Sequence, residues 1–313
     1  MDMGNCQRTV HFIPTQANML MVSKLMDECA GNSNGNGRQA IGKTVRFVPV
    51  DYHELATLGQ EIEVLIWGEG TQHQASYFLD RIGTEEGGAK ASVDAHFDFQ
   101  AVLGKNGLSP VEGIYEPLTC ANHLVFSRLM GKEIKIVIPK SKIPSNLEAL
   151  ERITRTIADG IGEKYDEDDV RKVIEKFSLI GIEGAQNGAL VGVEHLTVDC
   201  DAIECFPSIP KWILNAEQGF SIEQVVGVIR RLRENGQTVF DFGGLMKSIP
   251  DFQVVELPQG FVPRFLETED AVEIALHGAL GKMRELTQGT VDRVYTYALN
   301  CYEKMIRAYF GLE

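Results

Sequence analysis

Short runs of β-branched and aromatic residues recur along most of the chain, and helical patterns lie between many of them. Strands are predicted over Thr9–Ile13, Val45–Val50, Glu63–Trp67, Ala91–Phe97, Ile134–Ile138, Leu179–Ile182, His195–Val198, Thr238–Phe242 and Gln253–Leu257. Helices are predicted over Gln16–Cys29, His73–Ile82, Asn146–Ala158, Glu167–Phe177 and Ser221–Asn235 and, with a break near Gln288-Gly289, from Glu267 almost to Glu313. Ser221 with Glu223 and Gln224 is the predicted N-terminal cap of the helix Ser221–Asn235. Alternating strands and helices imply a mainly parallel sheet with helices on both faces, so we expect a three-layer α/β/α fold.

Composition is consistent with one large folded unit. The 313 residues are 44% hydrophobic and 24% charged, the balance of a globular protein with a substantial core, and α/β folds of this length are often one domain. We therefore expect a single domain over 1–313. The formal net charge of -14 at pH 7 disfavours nucleic acid and anionic lipid as partners and favours cationic ligands.

Cysteine usage and hydropathy indicate a cytoplasmic protein. The 6 cysteines include no Cys-x-x-Cys pair and are scattered, which favours reduced thiols over a disulfide framework. The N-terminus lacks the basic and apolar regions of a signal peptide, and nowhere do about 18 apolar residues run together. We expect neither secretion nor a membrane span.

The strongest local signal is the end of the predicted strand Ala91–Phe97. Asp94, His96 and Asp98 occupy every second position, and in extended backbone such side chains share one face. Two acids and an imidazole that converge on one point are typical of a metal site. The alternative is that they cap the strand and face solvent.

A second pair of acids follows the predicted strand His195–Val198. Asp199 and Asp201 would again point the same way, with Cys200 turned to the other side as a packed thiol. Two adjacent carboxylates repel each other unless a cation or a proton compensates, so a divalent metal is the simplest explanation. Hydrogen-bonded carboxylates at the end of a sheet are the alternative.

A third element is the glycine-containing turn Gly68–His73, which follows a predicted strand. Glycines at a strand-to-helix turn let the backbone bring a side chain over the carboxyl edge of the sheet, where ligands of open α/β sheets bind. His73 is therefore a candidate metal ligand, with an exposed histidine at the start of a helix as the alternative. The other histidines without an identifiable partner are interpreted as structural or exposed: His11, His53, His195 and His277.

Together these motifs resemble the arginase-like ureohydrolase superfamily. The segments Gly70–His73, Asp94–Asp98 and Asp199–Asp201 are similar to that family's Gly-Gly-Asp-His, Asp-Ala-His-x-Asp and late Asp-x-Asp motifs. Supporting similarities follow in the family's order: Asn122-His123 before an apolar helix, Gln218–Glu223 and Val254–Pro258. The shared order covers most of the chain. The Asp-Ala-His-x-Asp motif is specific, and the others support it only in combination.

The resemblance implies a site for two Mn²⁺ ions and hydrolysis of a guanidino group. The implied ligands are His73, Asp94, Asp98 and Asp199 for one ion and Asp94, His96, Asp199 and Asp201 for the other, with Asp94 and Asp199 bridging. Carboxylate and imidazole ligands without thiolate also suit manganese. In the implied reaction Asp98 accepts a proton from the attacking water, His123 relays one to the leaving amine, and Glu256 binds the guanidinium.

Departures from the family pattern bear on the substrate. The turn before the first histidine and the residues after Asp201 differ, but these changes spare the ligands. The segment Phe99–Ala121 is longer than in arginases that act on free arginine and lacks their Asn/Ser/Thr-rich loop for the amino acid's α-amino and carboxylate groups. The chain most resembles the peptide arginases of bacterial ribosomal-peptide pathways, which convert arginine side chains of a precursor peptide to ornithine and urea. Such a peptide is the expected partner.

Several alternatives stay open. Agmatinase-like or arginase-like hydrolases of small guanidines resemble the chain as well, and deacetylases of the same fold use a single zinc ion. A metal-bound binding protein without turnover is a further alternative. His123 is otherwise a helix-start histidine, and Glu256 a strand-end carboxylate at the surface. Related enzymes often form homo-oligomers, and the sequence leaves the oligomeric state undetermined.

Overall fold

The computed structural model describes residues 8–31, 41, 44–51, 53–68, 79–80, 88–95, 124, 127, 131–149, 175, 177–204, 206, 219–234, 238–245 and 288–312. Its strands are β1 (Arg8–Phe12), β2 (Val45–Pro49), β3 (Val64–Trp67), β4 (Ala89–Val93), β5 (Glu133–Val137), β6 (Phe177–Ile180), β7 (Val193–Asp199) and β8 (Val239–Gly243). Its main helices are α1 (Gln16–Gly31), α2 (Leu55–Leu58), α3 (Ile222–Glu234) and α4 (Gln288–Phe310). Shorter helical segments cover 143–149, Ile182–Gly184 and Ala185–Ala189, and 3₁₀ turns cover Gly59–Glu61, Lys140–Lys142 and Cys200–Ala202.

The strands form one 8-stranded sheet in the order β2-β1-β3-β8-β7-β4-β5-β6, and each described pairing is parallel. β3, β4 and β8 are buried along their whole length, as expected of strands that are covered on both faces. The predicted parallel α/β sheet is confirmed. Because the strands run the same way, their carboxyl ends meet at one edge, where residues that are distant in sequence come together.

Helices cover both faces of the sheet. On one face, called here the α4 face, α4 packs against α1 and α3 over a core that includes Ile66 and Phe242. On the other, called the Trp67 face, Leu65 and Trp67 pack with Leu55 of α2. Side-chain alternation along β3 explains this division. The three-layer α/β/α architecture is confirmed, and no helix in the described ranges is long and apolar enough to cross a bilayer.

β6 corrects a predicted boundary. The strand predicted over Leu179–Ile182 lies at Phe177–Ile180, so the helix predicted to end at Phe177 stops before it. Ile182 instead begins a short helical segment, and Gly181, in extended backbone with φ -73° and ψ 154°, separates the two elements. The β-branched residues on both sides of this glycine made the pattern ambiguous.

Two other boundaries bear on the site. β4 ends at Val93, short of the predicted end, and the strand predicted over Gln253–Leu257 lies outside the described residues. The predicted N-terminal cap of α3 is confirmed. The Ser221 N–H donates to Gln224 Oε1 over 2.9 Å, and the Gln224 N–H donates to Ser221 Oγ over 3.2 Å.

Candidate functional site

Asp94 and Asp199 are neighbours at the carboxyl edge of the sheet. β4 and β7 are adjacent and parallel, and Val93 pairs with Val198, so the next residue of each chain segment comes to the same level. Both acids are buried, with 3% of Asp94 and 7% of Asp199 exposed. Val93 and Val198 belong to the core of the α4 face, and alternation therefore directs the two acids to the Trp67 face.

Asp201 reaches this edge through a turn. Strand alternation was the predicted reason for Asp199 and Asp201 to share a face, but β7 ends at Asp199 and a 3₁₀ turn follows. Asp199 caps that turn, because the Asp201 N–H donates to Asp199 Oδ1 over 3.3 Å. Cys200 is buried in the core of the α4 face, which agrees with the predicted packed thiol.

Burial and mutual repulsion oppose the ionisation of these acids. Burial, and then the charge of Asp94, raises the pKa of Asp199 to about 8. Burial, followed by the charges of Asp199 and Asp94, raises the pKa of Asp201 well above its usual range. Asp199 and Asp201 therefore keep protons near neutral pH unless a cation is bound. Together with Asp94 they are called here the edge carboxylates.

Lys142 is a charged residue at this edge that the sequence did not indicate. It lies in the 3₁₀ turn after β5, and its Nζ donates to the carbonyl oxygen of Ala95 over 2.7 Å. Its charge partly offsets the effects of burial and of neighbouring acids on the pKa of Asp201. Because β5 pairs with β4, the strand order brings Lys142 to this position, and the order is not apparent from the sequence.

β8 contributes backbone but no side chain beside Asp199. A Cβ added to Gly243 would lie 2.6 Å from the ring of Trp67, closer than real contacts allow. Gly244 has a φ of 103°, in the region that favours glycine, and a Cβ there would lie 3.2 Å from Asp199 Oδ1. The close packing of Trp67 and the backbone conformation both require these glycines.

The other predicted site residues lie outside the described residues: His73, His96, Asp98, His123 and Glu256. In the part of the chain that the structure describes, no three His, Cys, Asp or Glu side chains are grouped closely enough to hold a metal ion. A metal site at the edge carboxylates therefore requires further ligands. The predicted ones belong to the sequence segments that follow β3 and β4.

His195 is buried on the Trp67 face, four residues before Asp199 on β7. The sequence offered it no partner, yet each of its ring nitrogens faces a carboxylate. Nδ1 lies 2.6 Å from Asp80 Oδ1, and Nε2 is hydrogen-bonded to Asp241 Oδ2. These acids are 115 and 46 residues away in sequence, so only the sheet order brings them to the histidine.

No protein-family model and no curated protein sequence matches the chain. Among solved structures, the chain is similar to agmatine ureohydrolase of Thermoplasma volcanium, with 12% identity over 98% of this chain and 92% of that chain and a TM-score of 0.46. Arginase from Bacillus subtilis is also similar, with 13% identity over 96% of this chain and 98% of that chain and a TM-score of 0.43. Proclavaminate amidino hydrolase from Streptomyces clavuligerus has 11% identity over 94% and 92% of the respective chains and a TM-score of 0.42. Likenesses this distant assign no activity to the chain.

Proposed function

We propose that the protein is a hydrolase that cleaves guanidino groups with two bound Mn²⁺ ions. The observation that carries the proposal is the pair Asp94 and Asp199, buried as neighbours at the edge of the sheet where ligands of open α/β folds bind. Buried neighbouring carboxylates repel each other, and a bound divalent ion offsets that repulsion.

The described residues fit a divalent cation of this kind. The edge carboxylates offer only oxygen donors, which suit Mn²⁺, and Cys200 adds no thiolate because it is buried on the opposite face. His73, His96 and Asp98 would complete two ion sites. When bound, two such ions lower the pKa of a water molecule and polarise the substrate.

Residues of the chain would orient the substrate and move protons. Asp98 accepts a proton from the attacking water, and His123 relays a proton to the leaving amine. Glu256 binds the guanidinium through charge-assisted hydrogen bonds. Lys142 donates to the carbonyl of Ala95 and so holds the backbone directly after Asp94 in place.

The substrate that we favour is an arginine side chain in a precursor peptide of a ribosomal-peptide pathway. Hydrolysis yields ornithine within the peptide and releases urea, and we place the reaction in the cytoplasm. The net charge of -14 favours a cationic substrate. The segment Phe99–Ala121 lacks a loop suited to the charged groups of a free amino acid, which favours a side chain within a peptide.

Urea release tests the proposal. Mn²⁺-loaded protein is incubated with free arginine, agmatine or arginine-containing peptides, beside the variants Asp199→Ala and Asp51→Ala. The Asp51 carboxylate is exposed beyond β2 and controls for loss of an aspartate away from the site. We expect urea from the peptides with the wild type and with Asp51→Ala, and none with Asp199→Ala.

Other outcomes would change the assignment. Urea from agmatine or arginine alone would replace the peptide by a small guanidine as substrate. Absence of urea together with release of acetate from acetylated lysine or polyamines would overturn the guanidino hydrolase in favour of a deacetylase. Metal bound in stoichiometric amount without turnover of any substrate would indicate a binding protein.

A further inference from the structure

A buried polar network lies below the edge carboxylates on the Trp67 face. Lys90 of β4 pairs in register with His195 of β7, and they precede Asp94 and Asp199 by four residues each. Strand alternation therefore places all four side chains on one face. Lys90 is 0% and His195 2% exposed, so both are removed from water.

Asp80 forms one half of the network. Its Oδ1 accepts from His195 Nδ1 over 2.6 Å, and its Oδ2 accepts from Lys90 Nζ over 3.2 Å and from Ser127 Oγ. Burial acts to raise the pKa of Asp80, but the charge of Lys90 and the hydrogen bond from His195 outweigh it and hold the pKa below its usual range. Asp80 is therefore a carboxylate.

Asp241 forms the other half. Its Oδ1 accepts from Trp67 Nε1 over 2.7 Å and from Thr197 Oγ1 over 2.6 Å, and its Oδ2 is hydrogen-bonded to His195 Nε2. Because Asp80 is a carboxylate and can only accept, Nδ1 of His195 donates to it, while Nε2 faces the carboxyl group of Asp241.

The network joins the chain segments that carry the candidate site. Asp80 follows His73 by seven residues, and Ser127 follows His123 by four. The other members, Lys90 and His195, precede edge carboxylates on their own strands. His195 joins the two halves, because its ring contacts both Asp80 and Asp241.

We propose that His195 is a positioning residue of the candidate site. In this proposal Nε2 also donates, to an ionised Asp241, and the buried ring fixes the spacing of the segments that carry the metal ligands. It thereby sets the affinity for divalent cations. This inference rests on the proposed function insofar as the edge carboxylates bind metal. The competing explanation is that the network only stabilises the fold.

The variant His195→Gln separates these explanations when it is compared with Leu232→Ala. Leu232 is buried in the core of the α4 face, so its truncation destabilises the fold without touching the network. Mn²⁺ affinity is measured by calorimetry under conditions in which both variants are folded. We expect affinity about 10–100-fold weaker in His195→Gln and unchanged in Leu232→Ala.

The sign of the change is diagnostic. Removal of a positive charge below the site would by itself strengthen the binding of a cation. Weaker binding in His195→Gln therefore reports displaced ligands. Unchanged or tighter binding, or an equal loss in Leu232→Ala, would overturn the positioning role.

Two measurements on metal-free protein separate failure of this inference from failure of the proposed function. Nitrogen-15 NMR of labelled histidine should show two exchange-protected ring N–H groups on His195. Amide exchange of Asp201, whose N–H donates to Asp199, should accelerate at least about tenfold in His195→Gln but not in Leu232→Ala. A wild type that binds no Mn²⁺ but passes both tests refutes the metal site and supports the positioning role. A single ring N–H, or unchanged amide exchange, refutes the positioning role.

If His195→Gln does not fold, two less disruptive variants provide the same test. Thr197→Val removes one donor to Asp241, and Thr238→Val removes a buried hydroxyl that donates to the Val193 carbonyl. We expect weaker Mn²⁺ binding and faster Asp201 exchange in Thr197→Val only. Equal behaviour of the two variants would count against the positioning role.

Discussion

Asp199 and Asp80 are both buried on the Trp67 face of the sheet, yet their pKa values shift in opposite directions. Among the edge carboxylates, burial and like charges raise the pKa of Asp199 to about 8. Four residues earlier on their strands, Lys90 and His195 hold the pKa of Asp80 below its usual range although it is just as buried. Burial alone therefore does not distinguish a structural acid from a functional one. The neighbouring charges do: Lys90 and His195 lower the pKa of Asp80, whereas Asp94 raises the pKa of Asp199.

The largest effect is expected where a compensating cation is removed. In Lys90→Met, Asp80 loses an ammonium group within a pair whose side chains are both 0% exposed. The free energy of unfolding should fall by about 3–5 kcal/mol, because a buried charge is left without its partner. Urea denaturation measures this loss.

The matched control is the same substitution at the surface. Lys304 forms a 2.8 Å ion pair with Glu223, and these side chains are 51% and 69% exposed. Lys304→Met should cost less than about 1 kcal/mol. Equal losses in the two variants would mean that Lys90 does not stabilise the fold by compensating the buried charge of Asp80.

The pH dependence of stability should follow the edge carboxylates in metal-free protein. The native pKa of Asp199, about 8, exceeds its ordinary value of 3.8, so between these values the native state binds a proton that the unfolded chain has lost. Stability is therefore greatest at the acid end of this window and falls as pH rises through the native pKa. We expect a loss of about 2 kcal/mol or more between about pH 5 and pH 8. Asp80 has the opposite shift, and its contribution is lost only when pH falls below about 4.

Asp199→Asn tests the origin of this slope. The amide does not ionise and can still accept from the Asp201 N–H, so the decrease in thermal stability with pH should become smaller than in the wild type. The exposed control Asp51→Asn should keep the wild-type slope. Saturating Mn²⁺ should oppose the slope, because metal binds the deprotonated carboxylates. Metal-free stability that is constant or rises over this range would contradict the pKa assigned to Asp199.

Much of the fold was predictable because it depends on local patterns. The alternation of apolar strands and amphipathic helices indicated the parallel three-layer architecture, and Ser221 and Gln224 indicated the start of α3. Asp94 and Asp199 were also correctly expected at the carboxyl edge, because each directly follows a buried strand or ends it. Asp201 was predicted for the wrong reason, since a turn stabilised by Asp199 replaces the continued strand.

The buried network was not predictable because it depends on strand order. β8 is the last of the described strands in sequence but lies between β3 and β7, which brings Asp241 to Trp67 and His195. The hydrophobic periodicity of the sequence does not indicate where β8 lies in the strand order. A usable signal was nevertheless present: Lys90, His195 and Asp241 are each an ionisable residue within a strongly apolar strand, and such residues require partners when buried.

The smallest expected difference lies between two buried threonine hydroxyls. Thr197 donates to the Asp241 carboxylate over 2.6 Å, whereas Thr238 donates to the Val193 carbonyl over 3.3 Å, and they are 3% and 4% exposed. Substitution by valine should cost about 1.5–3 kcal/mol at Thr197 and about 0.5–1.5 kcal/mol at Thr238, because hydrogen bonds to charged groups contribute more. Parallel urea denaturation of the two variants measures the difference. An equal or larger loss at Thr238 would contradict a charged Asp241 in the buried network.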